Sequence, residues 1–397
     1  MKKQNNMRNI FTTRNIIIAA AVIILAGGIL WYLSLPNGAG QEKKGIGEIL
    51  GGLFPNSADQ KPIAIPPAGE NKLPEGSAVG EGNSYQLVKE AVSGATFYKG
   101  KVRYIEKATG HLYEIGADGN NKTRISNTTI PGIFDVKWSP LGNRAILKYI
   151  SNGELNTLSV TFNGSSTQSI FLPGDIKNVT FSPKGDRIAY IQVAGDDGSL
   201  ITATPDNKTK TVRLKMPITS WRLDWPEANN IYLLSASSAY LQGILYRLNV
   251  SSGAFTKIFG PSSGLAAKTN GADVILSFSD PFERTLYSSI FNISSGKLGQ
   301  LEFKTFPDKC AWSKKSKDTA LCAVPITFSA GIYPDDWYKG KFSPADALVK
   351  ISLKSLAINS ITIPQAVDAN ELFLSDDETI LFFLDKSDGS LWRVKLP

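Results

Sequence analysis

Residues 178–190 (NVTFSPKGDRIAY) set the rhythm of the chain. Val179 and Phe181 alternate with polar neighbours, the pattern of a half-buried strand. Ser182, Pro183, Lys184, Gly185 and Asp186 follow as turn formers: proline pre-sets φ, and glycine accepts positive φ. Ile188, Ala189 and Tyr190 then open a second, apolar strand. The same phrase occurs at 136–147 (VKWSPLGNRAIL), with Trp138 in the place of Phe181. Looser copies stand at 223–233 (LDWPEANNIYL) and 310–321 (CAWSKKSKDTAL).

The copies are regularly spaced. Trp138, Phe181 and Trp225 lie 43 and 44 residues apart. A degenerate copy follows near Val274, then Trp312, then 372–380 after a longer gap. A period in the low forties with about four strands per unit is that of a β-propeller blade. Pro131, Pro173, Pro217, Pro261, Pro307 and Pro364 mark the ends of outer strands, where a missing N–H costs least. They divide the chain into seven units at 85–130, 131–174, 175–217, 218–262, 263–307, 308–366 and 367–397. A six-bladed ring is the competing arrangement. The last unit holds three strands, at 371–375, 380–385 and 391–396. Its outer strand is expected from 85–90, which would close the ring and leave no open seam.

The stretch before the repeats is different. Residues 16–35 form an uncharged run of 20 residues, long enough as a helix to span about 30 Å of hydrocarbon. Trp31 and Tyr32 stand at its end, where such rings favour a membrane interface. Lys2, Lys3, Arg8 and Arg14 precede it. The reading is a basic cytoplasmic tail (1–14), a transmembrane signal-anchor helix (15–35), a Gly/Pro-rich flexible linker (36–84) and an all-β propeller (85–397). The basic flank places the amino terminus in the cytoplasm and the propeller outside the cell membrane. A cleaved signal peptide is the alternative. The linker holds 10 Gly and 6 Pro in 49 residues, with one apolar island at 46–54.

Composition narrows the function. The formal net charge is +8, and four of those charges precede the apolar run. The rest is close to balanced, with no basic cluster interleaved with aromatics, so nucleic acid is not an expected partner. The chain contains one histidine, His111, at an apparent strand start. A histidine-based metal site or a Ser-His-Asp triad therefore has little to draw on. The Asp-rich stretches at 196–198 and 385–389 read as turns, since calcium demands about six to eight oxygen ligands. No phosphate loop or zinc spacing is present, and no cofactor is expected.

The phrase aromatic-Ser-Pro-x-Gly-x-x-Ile-Ala-Tyr resembles the repeats of TolB-like, WD-like bacterial propellers. The match is good at 181–190 and 138–147, partial at Trp225 and Trp312, and poor in units one and five. The resemblance implies a fold rather than an activity. Similar repeats occur in prolyl-oligopeptidase-type peptidases, but no Gly-x-Ser-x-Gly elbow follows here.

Two further features are specific to this chain. Cys310 and Cys322 flank a turn centred near Ser316. In the register that pairs Val179 with Tyr190, they fall opposite each other, within disulfide range. Unit six also carries a long insertion at 326–346, in the loop between its middle strands. Its Tyr333, Asp335, Asp336, Trp337, Tyr338, Lys339 and Phe342 make a candidate partner-binding surface of aromatic and charged groups. The plainer reading is that the rings pin the loop to the domain. Tyr240, Phe282 and Arg284 occupy the corresponding loops of units four and five and could share the patch. The expected function is a non-catalytic binding or scaffold module for a protein or cell-wall partner. A glycan hydrolase or lyase with acidic residues in the funnel is the second possibility, and a structural component of an envelope complex the third.

Overall fold

The structure, a computed structural model, describes residues 71, 73, 77–78, 83–163, 166–236, 238–328, 330–363 and 365–397. The expected tail and membrane span lie outside the described residues, as does most of the linker. Among the described residues no helix is long and apolar enough to cross a membrane.

Seven antiparallel sheets follow one another along the chain, one per repeat. In blade two the inner strand Ile133–Trp138 leads outward through Arg144–Ser151 and Glu154–Asn163 to Ser166–Phe171. Blade three repeats this with Ile176–Phe181, Ile188–Ala194, Asp197–Ala203 and Lys210–Met216. Blades one, four and five begin with the inner strands Val92–Tyr98, Trp221–Glu227 and Ala266–Thr269. Blade six begins with Cys310–Trp312 and blade seven with Ala369–Leu374. The arrangement is seven-bladed rather than six-bladed. Val179 does face Tyr190, and Trp312 faces Ala320.

The repeated phrase works as a self-contained hairpin. Ser182 Oγ donates to Asp186 and accepts from the backbone N–H of Arg187. Ser139 does the same with Asn143 and Arg144. Gly185 has φ of +67°, and a Cβ there would come within 3.2 Å of Ser139. The turn must therefore be bare, because it nests against the preceding blade. Arg144 fixes it by donating to the Gly185 carbonyl at 3.0 Å.

The core is divided among the blade interfaces. Ile146, Ile176, Val179, Phe181, Ile188 and Tyr190 form one such layer between blades two and three. Each sheet is apolar on both faces, as stacking blade on blade requires.

The ring closes as its ends suggested. Ser84–Val88 is the outer strand of blade seven, beside Leu391–Lys395, with Tyr85 opposite Arg393 and Val88 opposite Leu391. The Cys310–Cys322 disulfide is formed, between directly opposed residues of the blade-six hairpin.

The linker's carboxyl-terminal end differs from its expected role as a free tether. Asn71 brackets Lys304, accepting from its N–H at 2.6 Å and donating to its carbonyl, and also donates to the Pro325 carbonyl at 2.7 Å. Leu73 packs on the core layer between blades five and six. Ser77–Ala78 then adds a short parallel fifth strand to blade six, opposite Ile361 and Thr362. Two single side chains and one two-residue strand make these contacts, so no periodicity announces them.

Candidate functional site

The connections from outer to inner strands and the loops between the middle strands open to one face of the ring. The blade-six insertion lies on that face. Beneath it is an axial cavity of 360 Å³, lined by Lys137, Thr180, Arg222, Asp224, Lys268, Asp308, Glu371 and Lys386 together with Trp337 and Tyr338. The inner strands position these groups. Lys137, Thr180 and Asp224 each immediately precede the anchoring aromatic of their repeat, so strand alternation turns them away from the blade core.

The cavity carries both signs of charge. Arg222 grips Asp308 with both terminal nitrogens and donates to the Tyr338 hydroxyl at 2.8 Å. Tyr338 in turn donates to Asp308 at 2.6 Å. Burial opposes ionisation of Asp308, but Arg222 outweighs it and holds the carboxyl well below the usual range. The pull of Asp308 keeps Arg222 protonated far above its ordinary range. Burial, followed by the Asp308 charge, raises Tyr338. Lys137 lies 3.3 Å from Asp135. Burial works against its charge, yet Asp135 and Glu371 leave its pKa raised. Lys268 donates to the Cys310 carbonyl, and burial lowers its pKa.

Two carboxylates are less well served. Asp224 accepts a long bond from the Thr269 N–H, at 3.4 Å. Glu371 makes no hydrogen bond among the described residues and stands at φ of +52°, within an irregularity of its strand. Desolvation raises the pKa of both. Among the described residues no group of three or more His, Cys, Asp or Glu is arranged to hold a metal.

The structure divides the candidate residues of the insertion. Tyr333 and Trp337 are buried at 1% exposure. Trp337 stacks on Phe306 at 4.5 Å, and Phe328, Tyr333 and Phe342 complete a small aromatic core. Its indole N–H donates to Asp368, and the Lys309 and Lys386 ammoniums lie 5.4 and 5.2 Å from its ring. Asp336 accepts from the Ile332 N–H, closing the loop on itself. Asp335 accepts from the Ala239 N–H at 2.7 Å, tying the insertion to the blade-four loop. Gly331 donates to the Arg284 carbonyl of blade five at 3.1 Å. The three loops therefore meet. On their surface Tyr240 is 66% and Phe282 94% exposed, and Arg284, Tyr338 and Lys339 are exposed too.

That exposure is part of a larger pattern. Twelve large apolar side chains are exposed among the described residues. Phe134, Ile150, Phe171, Ile218, Tyr240, Leu241, Phe282, Ile326 and Tyr338 all occupy strand ends or loops on the insertion face. Leu141, Val212 and Phe255 lie elsewhere.

Beneath the insertion, Lys309 is fully enclosed and donates to Asp346 at 2.6 Å, to Asp368 at 2.5 Å and to the Ala369 carbonyl. Sequence reasoning missed this triad and most of the cavity. One signal existed: the residue three before each of the aromatic anchors Trp138, Phe181, Trp225 and Trp312 is polar, as Asp135, Asn178, Arg222 and Lys309 show.

No family model matches the chain, and no curated protein matches it in sequence. Solved structures resemble it in shape. An oligogalacturonate lyase from Vibrio parahaemolyticus superposes with a TM-score of 0.58 at 9% identity, over 81% of this chain and 96% of that one. The tricorn protease matches with a TM-score of 0.52 at 8% identity, over 83% of this chain and 35% of that one. TolB from Acinetobacter baumannii gives 0.44 at 11% identity, over 75% and 64%. At these identities the likeness is one of fold. The chain is a seven-bladed β-propeller. Its distinguishing marks are a mixed-charge axial cavity and an aromatic insertion that roofs it.

Proposed function

We propose that this protein is a membrane-tethered, extracytoplasmic binding module that docks a protein partner on the insertion face. One observation supports this most: the exposed apolar side chains are concentrated on that face, around Tyr240, Leu241, Phe282 and Ile326. Patches of this kind mark interaction sites. Exposed aromatics supply the large contact areas that anchor protein interfaces. The uncharged run at 16–35 and the basic residues before it support tethering with the propeller outside.

A second reading is a glycan lyase or hydrolase working in the axial cavity. The poorly satisfied carboxylates Asp224 and Glu371, with raised pKa values, favour it, because acid–base chemistry near neutral pH requires such groups. The likeness of fold to an oligogalacturonate lyase agrees with this reading but carries no residue of it across. The cavity's cations and its Arg222–Asp308–Tyr338 network favour the binding reading.

The discriminating experiment is affinity capture from envelope extracts with the full-length chain and a Tyr240→Ser/Phe282→Ser variant. The binding reading expects a defined partner whose recovery falls about tenfold in the variant, and no effect of Glu371→Gln. Equal capture by both proteins would sink it. Loss of activity on an acidic oligosaccharide in Glu371→Gln alone would install the second reading.

A further inference from the structure

The outer strands of the ring present open edges, and a strand edge left open invites pairing with another chain. Most of them are blunted. The outer strand of blade three, Lys210–Met216, carries three cationic residues and a register shift. That of blade four, Phe255–Ser263, has two register shifts and Pro261. Those of blades one and five are only Thr123–Arg124 and Leu298–Gln300. Blade six, ending in Ile358–Thr362, is covered by Ser77–Ala78, and blade seven ends in a strand with a shift of its own.

Blade two is the exception. Its outer strand Ser166–Phe171 (STQSIF) is uncharged, lacks proline, pairs in unbroken register with Glu154–Asn163 and is mostly exposed. The Leu172 N–H bonds inward to the Thr157 carbonyl. By antiparallel alternation, the N–H and C=O groups of Thr167, Ser169 and Phe171 then point away from the sheet.

A second feature lies beside this edge. A crevice of 40 Å³ runs between blades one and two, lined by Leu112, Ile130, Leu158, Val160 and Phe162 with Thr167 and Ser169 at its lip. It is open because the outer strand of blade one stops after two residues.

We propose that Ser166–Phe171 is a strand-addition site for an extended segment of a partner protein, uncharged and aliphatic at alternate positions. Backbone hydrogen bonds to Thr167, Ser169 and Phe171 set its register, and one aliphatic side chain enters the crevice. This is the mode in which main-chain bonds give affinity and side-chain pockets give specificity. A fifth strand is already tolerated by this ring, since Ser77–Ala78 occupies that position on blade six. A second copy of the chain is the poorer occupant. Antiparallel self-pairing would bring Thr167 and Ser169 against each other, and neither hydroxyl suits an apolar crevice.

The proposal concerns the rim of the ring, which meets the insertion face only at Phe171, the end of this strand. Its test is titration of a fluorescent Val-Thr-Val-Thr-Val peptide, lysine-flanked for solubility, with the full-length chain, read by anisotropy. Saturable binding is expected, with about tenfold weaker affinity for a Ser-Thr-Ser-Thr-Ser analogue. Ser169→Pro removes an outward N–H and no internal bond. It should weaken binding about tenfold, the equivalent of one hydrogen bond, and Thr167→Lys should act similarly. Unchanged melting of both variants would exclude misfolding. No saturable binding, equal affinity for the Ser169→Pro variant, or a dimer dissolved by that substitution would each overturn the proposal.

Discussion

Asp346 is enclosed, and its two oxygens are treated unequally. Oδ2 accepts from Lys309 and from the Ala369 N–H, while Oδ1 has no hydrogen-bond partner among the described residues. One ammonium faces two carboxylates here, so a proton on Oδ1 relieves the imbalance. Burial raises this carboxyl from 3.8 to about 7, against the opposing pull of Lys309. The groups around it are Lys309 and Asp368, with Asp385 and Lys386 beyond. The sign follows from linkage. Below pH ~4 both folded and unfolded states hold the proton, and the stabilisation is complete. As pH rises from ~4 to ~7 only the unfolded carboxyl ionises, and stability falls. Denaturant unfolding across this window should show a decline of up to ~4 kcal/mol in the wild-type chain that Asp346→Asn removes. Parallel pH profiles for the two proteins would mean that Asp346 is ionised throughout.

The blade-six insertion behaves as one packed element. Trp337 fills its centre, flat against Phe306, and Ser343 donates to the same Asp368 that accepts from Lys309 and the indole. Its sequence reads as a sticky loop because rings and charges alternate. In the fold Tyr333, Trp337 and Phe342 pack inward while Tyr338 stays exposed, and the two carboxylates are spent on the loop's own backbone and on blade four. Trp337→Ala should cost ~3–5 kcal/mol, mainly in local order. Limited proteolysis would then cut within residues 326–345 while the blades survive, and Tyr240→Ser would not be cut faster than wild type. An uncut Trp337→Ala loop would mean that Asp335 and the Lys309 triad suffice to hold it. The repeated hairpins, by contrast, were legible residue by residue, because Ser182 and Asp186 act on near neighbours and Gly185 supplies a positive φ whatever blade it rests on.

At the scale of the molecule, closure joins the two ends of the folded chain. Val88 is 4% exposed and pairs with Leu391, within the layer that includes Val92, Val102 and Phe382. Val88→Asp would bury an unpaired carboxylate at the seam and should cost ~4 kcal/mol or more. Lys89→Asp, at an exposed position just past the strand, should leave unfolding unchanged. If calorimetry finds the two variants alike, Ser84–Val88 does not close the ring.

The sequence by itself determined the blade period, the hairpin turns, the strand that completes blade seven and the opposition of Cys310 to Cys322, while the choice of seven blades over six was left to the structure. These rest on short-range chemistry repeated at a fixed period, and a period survives in one dimension. It also drew attention to the loops of blades four, five and six. Only the tertiary structure decided which of their residues are core and which are surface. It turned Tyr333 and Trp337 inward and left Tyr240 and Phe282 outside. It also gathered Lys137, Arg222, Asp308 and Glu371 around the axis. Those four are separated by 85, 86 and 63 residues. Their chemistry depends on desolvation and mutual charge, which exist only once the ring has closed.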